Sequence, residues 1–127
     1  MAICENPGDQ LLSSLLYPLG ITAQYTGYYY AICAVELAAD DPSHLIMVTK
    51  DLYPAVAARL SSTASRVERN LRHVSDLAWR TNPRLLETMA GHPLKQRPCA
   101  SQFIAILTNQ DRILLSREDP NGQQRLF

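Results

Sequence analysis

The stretch Leu60–Arg80, LSSTASRVERNLRHVSDLAWR, constrains the fold more than any other part of this 127-residue chain. On a helix at about 100° per residue, Val67, Leu71, Val74 and Ala78 fall on one face, with Leu77 beside them. Ser65, Glu68, Arg69, Arg72 and Asp76 fall on the opposite face, flanked by Arg66 and His73. One face is built to be buried, and the other presents arginines to solvent. Ahead of it, Ser62-Thr63-Ala64-Ser65 is a cluster of residues that favour N-caps, and Ser65-x-x-Glu68 fits a capping box.

The length is that of one domain, residues 1–127, with a core over about 10–116 and a flexible tail over 117–127. Net charge is +0, which argues against a general polyanion binder, but the charge is unevenly placed. Residues 1–58 carry Lys50 against Glu5, Asp9, Glu36, Asp40, Asp41 and Asp51. Residues 59–97 carry eight bases (Arg59, Arg66, Arg69, Arg72, Arg80, Arg84, Lys95, Arg97) against Glu68, Asp76 and Glu87. A basic middle third points to an anionic partner.

Cys4, Cys33 and Cys99 are far apart and odd in number, and with His44, His73 and His92 they complete no metal signature. Reduced thiols and no cofactor are expected. No apolar run approaches the 18 residues of a membrane span, and Glu5 and Asp9 stand where a secretory signal would carry bases. The expected location is cytoplasmic and nucleoid-associated, with no membrane partner. No nucleophile, base and oxyanion site can be assembled, so an enzyme is not expected.

In chain order, Met1–Gly8 reads as a loose lead-in and Gln10–Leu19 as a short helix ended by Pro18 and Gly20. Gln24–Ala39 reads as a helix. Its Tyr25, Tyr28, Tyr29 and Tyr30 are an aromatic patch, better explained by packing than by binding. Ser43–Leu60 reads as a helix that Pro54 kinks or breaks near Lys50–Tyr53. Its second half, Tyr53–Leu60, is then the first helix of a helix-turn-helix, Ser61-Ser62 the turn and Thr63–Trp79 the recognition helix. Pro83–Ala90, closed by Gly91, and about Cys99–Leu115 complete the set. The expectation is an all-α fold of about six helices in a compact bundle containing a helix-turn-helix.

Leu52-Tyr53-Pro54, then Thr63-Ala64-Ser65-Arg66-Val67-Glu68-Arg69, Leu71-Arg72-His73, Ala78-Trp79 and Ser101-Gln102-Phe103-Ile104-Ala105, resemble in this order the DNA-binding effector domain of the sporulation response regulator, stage zero sporulation protein A. Gly20-Ile21 and Gly27-Tyr28 fit its early segment, so the likeness spans about Leu12–Leu115. The resemblance implies a six-helix effector domain that binds a promoter element in double-stranded DNA, as tandem copies or a homodimer, and that contacts the RNA polymerase sigma factor. It implies DNA-contacting roles for Ser65, Arg66, Glu68, Arg69, Arg72 and His73. The chemistry of the residue types agrees: arginine pairs bidentately with guanine, and glutamate accepts from cytosine N4. Arg59, Arg80, Lys95 and Arg97 are expected to reach the phosphate backbone at most.

Three departures from the family pattern stand out. The family carries a receiver domain ahead of this one, and about ten residues precede it here. Thr81-Asn82-Pro83 and Ala90-Gly91 replace an Arg-Gly and a Phe-Gly pair near the sigma-contacting surface. Pro98-Cys99-Ala100-Ser101-Gln102-Phe103 replaces Pro-Thr-Asn-Ser-Glu-Phe, which removes a capping asparagine. These departures leave open an alternative, a stand-alone interaction module or antagonist of a full-length regulator with weak or no activation.

Overall fold

A computed structural model describes residues 7–118. Among them are six α-helices and no strand: α1 (Pro7–Leu16), α2 (Thr26–Asp40), α3 (Tyr53–Arg59), α4 (Ala64–Thr81), α5 (Pro83–Ala90) and α6 (Ala100–Glu118). The all-α expectation holds. The first helix starts earlier than the apolar pattern implied, at Pro7, and gives way after Leu16 to a 3-10 turn, Tyr17–Leu19. The last helix runs on through Glu118, taking in residues 117 and 118 of the expected tail. Residues 1–6 of the expected lead-in and 119–127 of the tail lie outside the described residues.

The second helix is the centre of the bundle. It packs against α1, α3, α4 and α6, and from Gly27 to Val35 only Tyr29 escapes full burial. A helix apolar on nearly every side is one that neighbours surround. Leu12 and Leu16 of α1, Ile32 and Val35 of α2, Val56 of α3, Leu71 and Val74 of α4, and Phe103, Ile104 and Leu107 of α6 meet in one core. The tyrosines pack, as expected: Tyr28 and Tyr30 are buried, and Tyr28 meets Tyr29 edge-on at 5.0 Å. The Tyr28 hydroxyl also bonds the Ser13 hydroxyl, tying α2 to α1.

Where a helix kinked or broken near Lys50–Tyr53 was expected over Ser43–Leu60, the chain makes three pieces, the last of them the expected helix from Tyr53. A 3-10 turn, Pro42–Leu45, is capped by Asp41, whose carboxylate accepts the Ser43 amide at 3.1 Å. The helix then breaks at Met47 (φ −121°, ψ 63°), a π-helical turn covers Val48–Leu52, and α3 begins at Tyr53. Pro54 lies in the first turn of α3, where its missing N–H costs nothing. It could not have donated back to Lys50 in a continuous helix, so the break is displaced upstream. Ile46 and Met47 consequently point outward, 79% and 45% exposed.

The turn before α4 is set by backbone geometry. Ser61 adopts φ +54°, and the Ser62 amide reaches back to the Ala57 carbonyl at 2.8 Å, closing α3 in the manner of a Schellman motif. The Tyr30 hydroxyl donates to Ser62 Oγ at 2.9 Å, anchoring this turn to the central helix. Thr63 is then the N-cap, its hydroxyl accepting the Arg66 amide at 3.2 Å. The capping box expected at Ser65 and Glu68 does not form, because both residues already lie inside the helix.

The residues that depart from the family pattern do structural work. Asn82 ends α4 and caps α5, accepting the Leu85 amide at 3.2 Å. Gly91 closes α5 at φ +82°, a left-handed position that glycine occupies at little cost. Cys99 takes the N-cap position of α6, its carbonyl accepting the Phe103 amide at 2.9 Å. Its thiol lies 3.3 Å from the Ser101 hydroxyl. This bond and one from the Gln102 amide pull the thiol pKa below its ordinary value, against a partial burial that raises it. Ala100, at the place of the lost asparagine, is the first residue of α6, and Cys99 before it holds the cap position. Cys33, by contrast, is buried, and its thiol is pushed up to about 11, burial outweighing the nearby Arg59. Cys4 lies outside the described residues.

Candidate nucleic-acid interface

The amphipathic pattern of α4 is realised in three dimensions. Val67, Leu71, Val74 and Ala78 are fully buried. All six residues singled out from sequence (Ser65, Arg66, Glu68, Arg69, Arg72, His73) are exposed on the other side. They form one surface with three strips. Ser65 and Arg69 lie along the outward ridge. Arg66 and His73 lie on the flank toward α2, and Glu68 and Arg72 on the flank toward the 42–52 segment and the start of α6.

The two flanks differ electrostatically. On the far flank Arg72 Nη2 lies 3.0 Å from Glu68 Oε2, an exposed pair one turn apart. This pair borders an open groove with Val48, Tyr53, Arg97 and Ser101 among its walls. Tyr53 stays protonated at neutral pH: burial first, then the Glu68 charge, pushes its phenol up to about 12. Arg66, on the flank toward α2, and Arg69, on the ridge beside it, enter no ion pair with any described residue. These two guanidiniums offer the uncommitted positive charge of the helix's first turns.

The other bases divide likewise. Arg80 and Arg97 both bind Asp76, at 2.9 and 3.2 Å. Partial desolvation raises the Asp76 carboxyl, but the bonds and charges of Arg97 and Arg80 outweigh it and hold it below the usual range. Together with the buried Ser75 hydroxyl, which donates to the Pro98 carbonyl at 2.9 Å, this staples the 92–99 loop to α4. Trp79 is partly buried against the core and lies beside Asp76 and Arg97, which makes it a packing residue. Arg80 and Arg97 are therefore committed within the fold, while Arg59, Arg84 and Lys95 remain exposed.

A glycine inside the α2 pattern suits a close backbone approach, but the sequence does not say to which neighbour; the structure shows that it is α4. A Cβ placed on Gly27 would lie 2.5 Å from Val74 Cγ1 and 2.7 Å from the Asn70 carbonyl oxygen. Only glycine lets the first turn of α2 come this near the recognition helix. The approach brings Thr26 and Tyr30 beside Arg66, Arg69, Asn70 and His73. His73 is steadied by the edge of the Tyr25 ring, 6.0 Å between centroids. Among the described residues there is no cluster of His, Cys, Asp or Glu fit to hold a metal ion, and no helix long and apolar enough to cross a membrane.

A family model described as the C-terminal domain of sporulation initiation factor Spo0A matches residues 12–110, which takes in α2 through α5, the whole of the α4 surface and half of α6.

Proposed function

The chain belongs to the family of the sporulation initiation factor Spo0A C-terminal domain, a family of DNA-binding effector domains rather than enzymes, and on that premise we propose that it reads a specific DNA sequence by laying α4 in the major groove. The observation that carries this reading is the pairing on one helix of a fully buried face with an exposed face whose first turns hold Ser65, Arg66 and Arg69, neither arginine in an ion pair with any described residue. A major groove admits an α-helix, and residues near its N-terminus meet the base edges. Arg66 and Arg69 supply bidentate donors for guanine, and Glu68 an acceptor for cytosine N4. Arg72 and His73, a turn further along, suit the phosphate backbone or an outer base, and Ser65 suits a base edge or phosphate near the helix start.

Sequencing of DNA selected by the protein from a random pool tests the reading. A defined element should emerge, and binding to it should weaken steeply with salt. Arg66→Ala and Arg69→Ala should each lose ~1–3 kcal/mol, concentrated at one base position of that element. No enriched element, or equal affinity of both variants for matched and scrambled duplexes, would overturn it.

The outward Ile46 and Met47 favour a second reading, in which this face meets a protein: another copy on tandem sites, a full-length regulator, or the sigma factor. Light scattering and a pull-down against each partner separate the two readings. Tight DNA binding with no protein capture removes the second.

A further inference from the structure

Thr26, Tyr30, Arg66, Arg69, Asn70 and His73 line an open notch of about 460 Å³ between the first turn of α2 and the first three turns of α4. No acidic side chain is among them. Two of the six are already engaged: the Tyr30 hydroxyl donates to Ser62, and the Asn70 amide donates to the Arg66 carbonyl at 2.9 Å. They make fixed walls. Thr26, Arg66, Arg69 and His73 are exposed. The start of α2 adds to the positive field, because its N-cap residue, Tyr25, gives its first amides no side-chain cap.

We propose that this notch seats one phosphate of the DNA backbone, held between the Thr26 hydroxyl at the start of α2 and His73 of α4, with Arg66 and Arg69 alongside contributing positive charge while their donors face the bases. The proposal rests on the reading that α4 lies in the major groove. A helix so placed has phosphates along its flanks, and protein hydroxyls, amides and arginines that meet them fix register without reading sequence. The notch is on such a flank, its free groups are hydrogen-bond donors, and its charge is of one sign. Thr26 is then a positioning residue, and the tight α2–α4 approach at Gly27 is what brings it within reach.

The test uses the full chain and fluorescence anisotropy against two duplexes, one carrying the selected element and one its scrambled counterpart, over a KCl series. Thr26→Glu should weaken both duplexes equally, by about tenfold, and Thr26→Lys should tighten both and steepen the salt slope by about one. Asn109→Glu, an equal charge change at an exposed position of α6, should alter either affinity less than twofold. An acid in a first helical turn favours the helix, and the lysine variant reads the same contact with opposite sign, so misfolding does not imitate the result. Thr26 variants within twofold of the parent, or acting on one duplex only, overturn the phosphate seat and leave base reading intact. A parent protein that does not discriminate between the duplexes overturns base reading, while equal shifts by the Thr26 variants still uphold the seat. A parent protein that binds neither duplex overturns both.

Discussion

Glu68 and Arg72 hold each other across one turn of α4, Oε2 to Nη2 at 3.0 Å, so two of the residues best suited to meet DNA meet each other first. The pair is about half exposed on each side, and solvent screens it, so it adds only ~0.3–0.5 kcal/mol to the helix. Its consequence is for binding. On the proposed reading, the carboxylate would occupy Arg72 and repel phosphates, a cost that nonspecific DNA would meet without a cytosine to satisfy Glu68.

Glu68→Gln should therefore leave folding almost unchanged and raise affinity for scrambled DNA by roughly 3–10-fold, with a steeper salt slope. Affinity for the selected element should rise less, so discrimination falls. Anisotropy titrations on matched and scrambled duplexes measure both. An unchanged ratio of the two affinities would sink this role for Glu68.

The α2–α4 approach makes a second prediction. Gly27→Ala must push α2 away from a backbone carbonyl as well as a side chain, and a backbone atom cannot swing aside. A loss of ~1–3 kcal/mol in stability is expected, with DNA affinity reduced in the folded fraction because Thr26 and Arg66 are moved apart. Gly91→Ala serves as the comparison. Its Cβ would meet nothing within 4 Å, so only the strained φ is felt, about 1 kcal/mol, and binding should not change. Chemical denaturation and anisotropy on the two variants check the contrast.

How far such features could be read in advance depends on whether they are local. The recognition helix was legible because its buried and exposed faces alternate with helical period over 18 residues. Over Ser43–Leu60 the same pattern holds only from Tyr53 on, where α3 begins as expected; upstream, Leu45, Ile46 and Val48 imitate a continuing apolar stripe, although Ile46 points outward. The cap lies within the expected Ser62–Ser65 cluster, which offers several equivalent caps, so the sequence does not single out Thr63 or exclude a capping box at Ser65. Thr63 is selected by the left-handed Ser61 before it. The notch beside Arg66 could not be foreseen, since Thr26 and Asn70 are brought together only by tertiary packing at a single glycine.

Ser61 gives a third prediction. A serine at φ +54° bears a steric cost that glycine avoids, partly offset by glycine's freer unfolded chain. Ser61→Gly should stabilise the domain by about 0.5–1 kcal/mol, while Ser61→Val, β-branched, should destabilise it by more than that. Ser62, not Ser61, carries the bond to Tyr30, so DNA affinity should be unaffected. Thermal unfolding of the two variants decides, and a lower melting temperature for Ser61→Gly would contradict the argument.

Asp76 supplies a pH dependence with a definite sign. Its carboxyl is held below the ordinary 3.8 by Arg97 and Arg80. A group whose pKa is lower folded than unfolded stabilises the fold above the unfolded value, and that contribution is lost as pH falls through the folded value. The staple between α4 and the 92–99 loop should thus be intact at neutral pH and fail below about pH 4. Asp41, lowered by its bonds to Ser43, titrates in the same window, so the informative quantity is a difference between proteins. Asp76→Asn should be less stable than the parent at pH 7, and the two stability curves should converge as pH drops below 4. Hydrogen exchange of the loop amides should follow the same course. A gap between parent and variant that stays constant down to pH 2 would show that Asp76 acts through shape and hydrogen bonding, not through its charge.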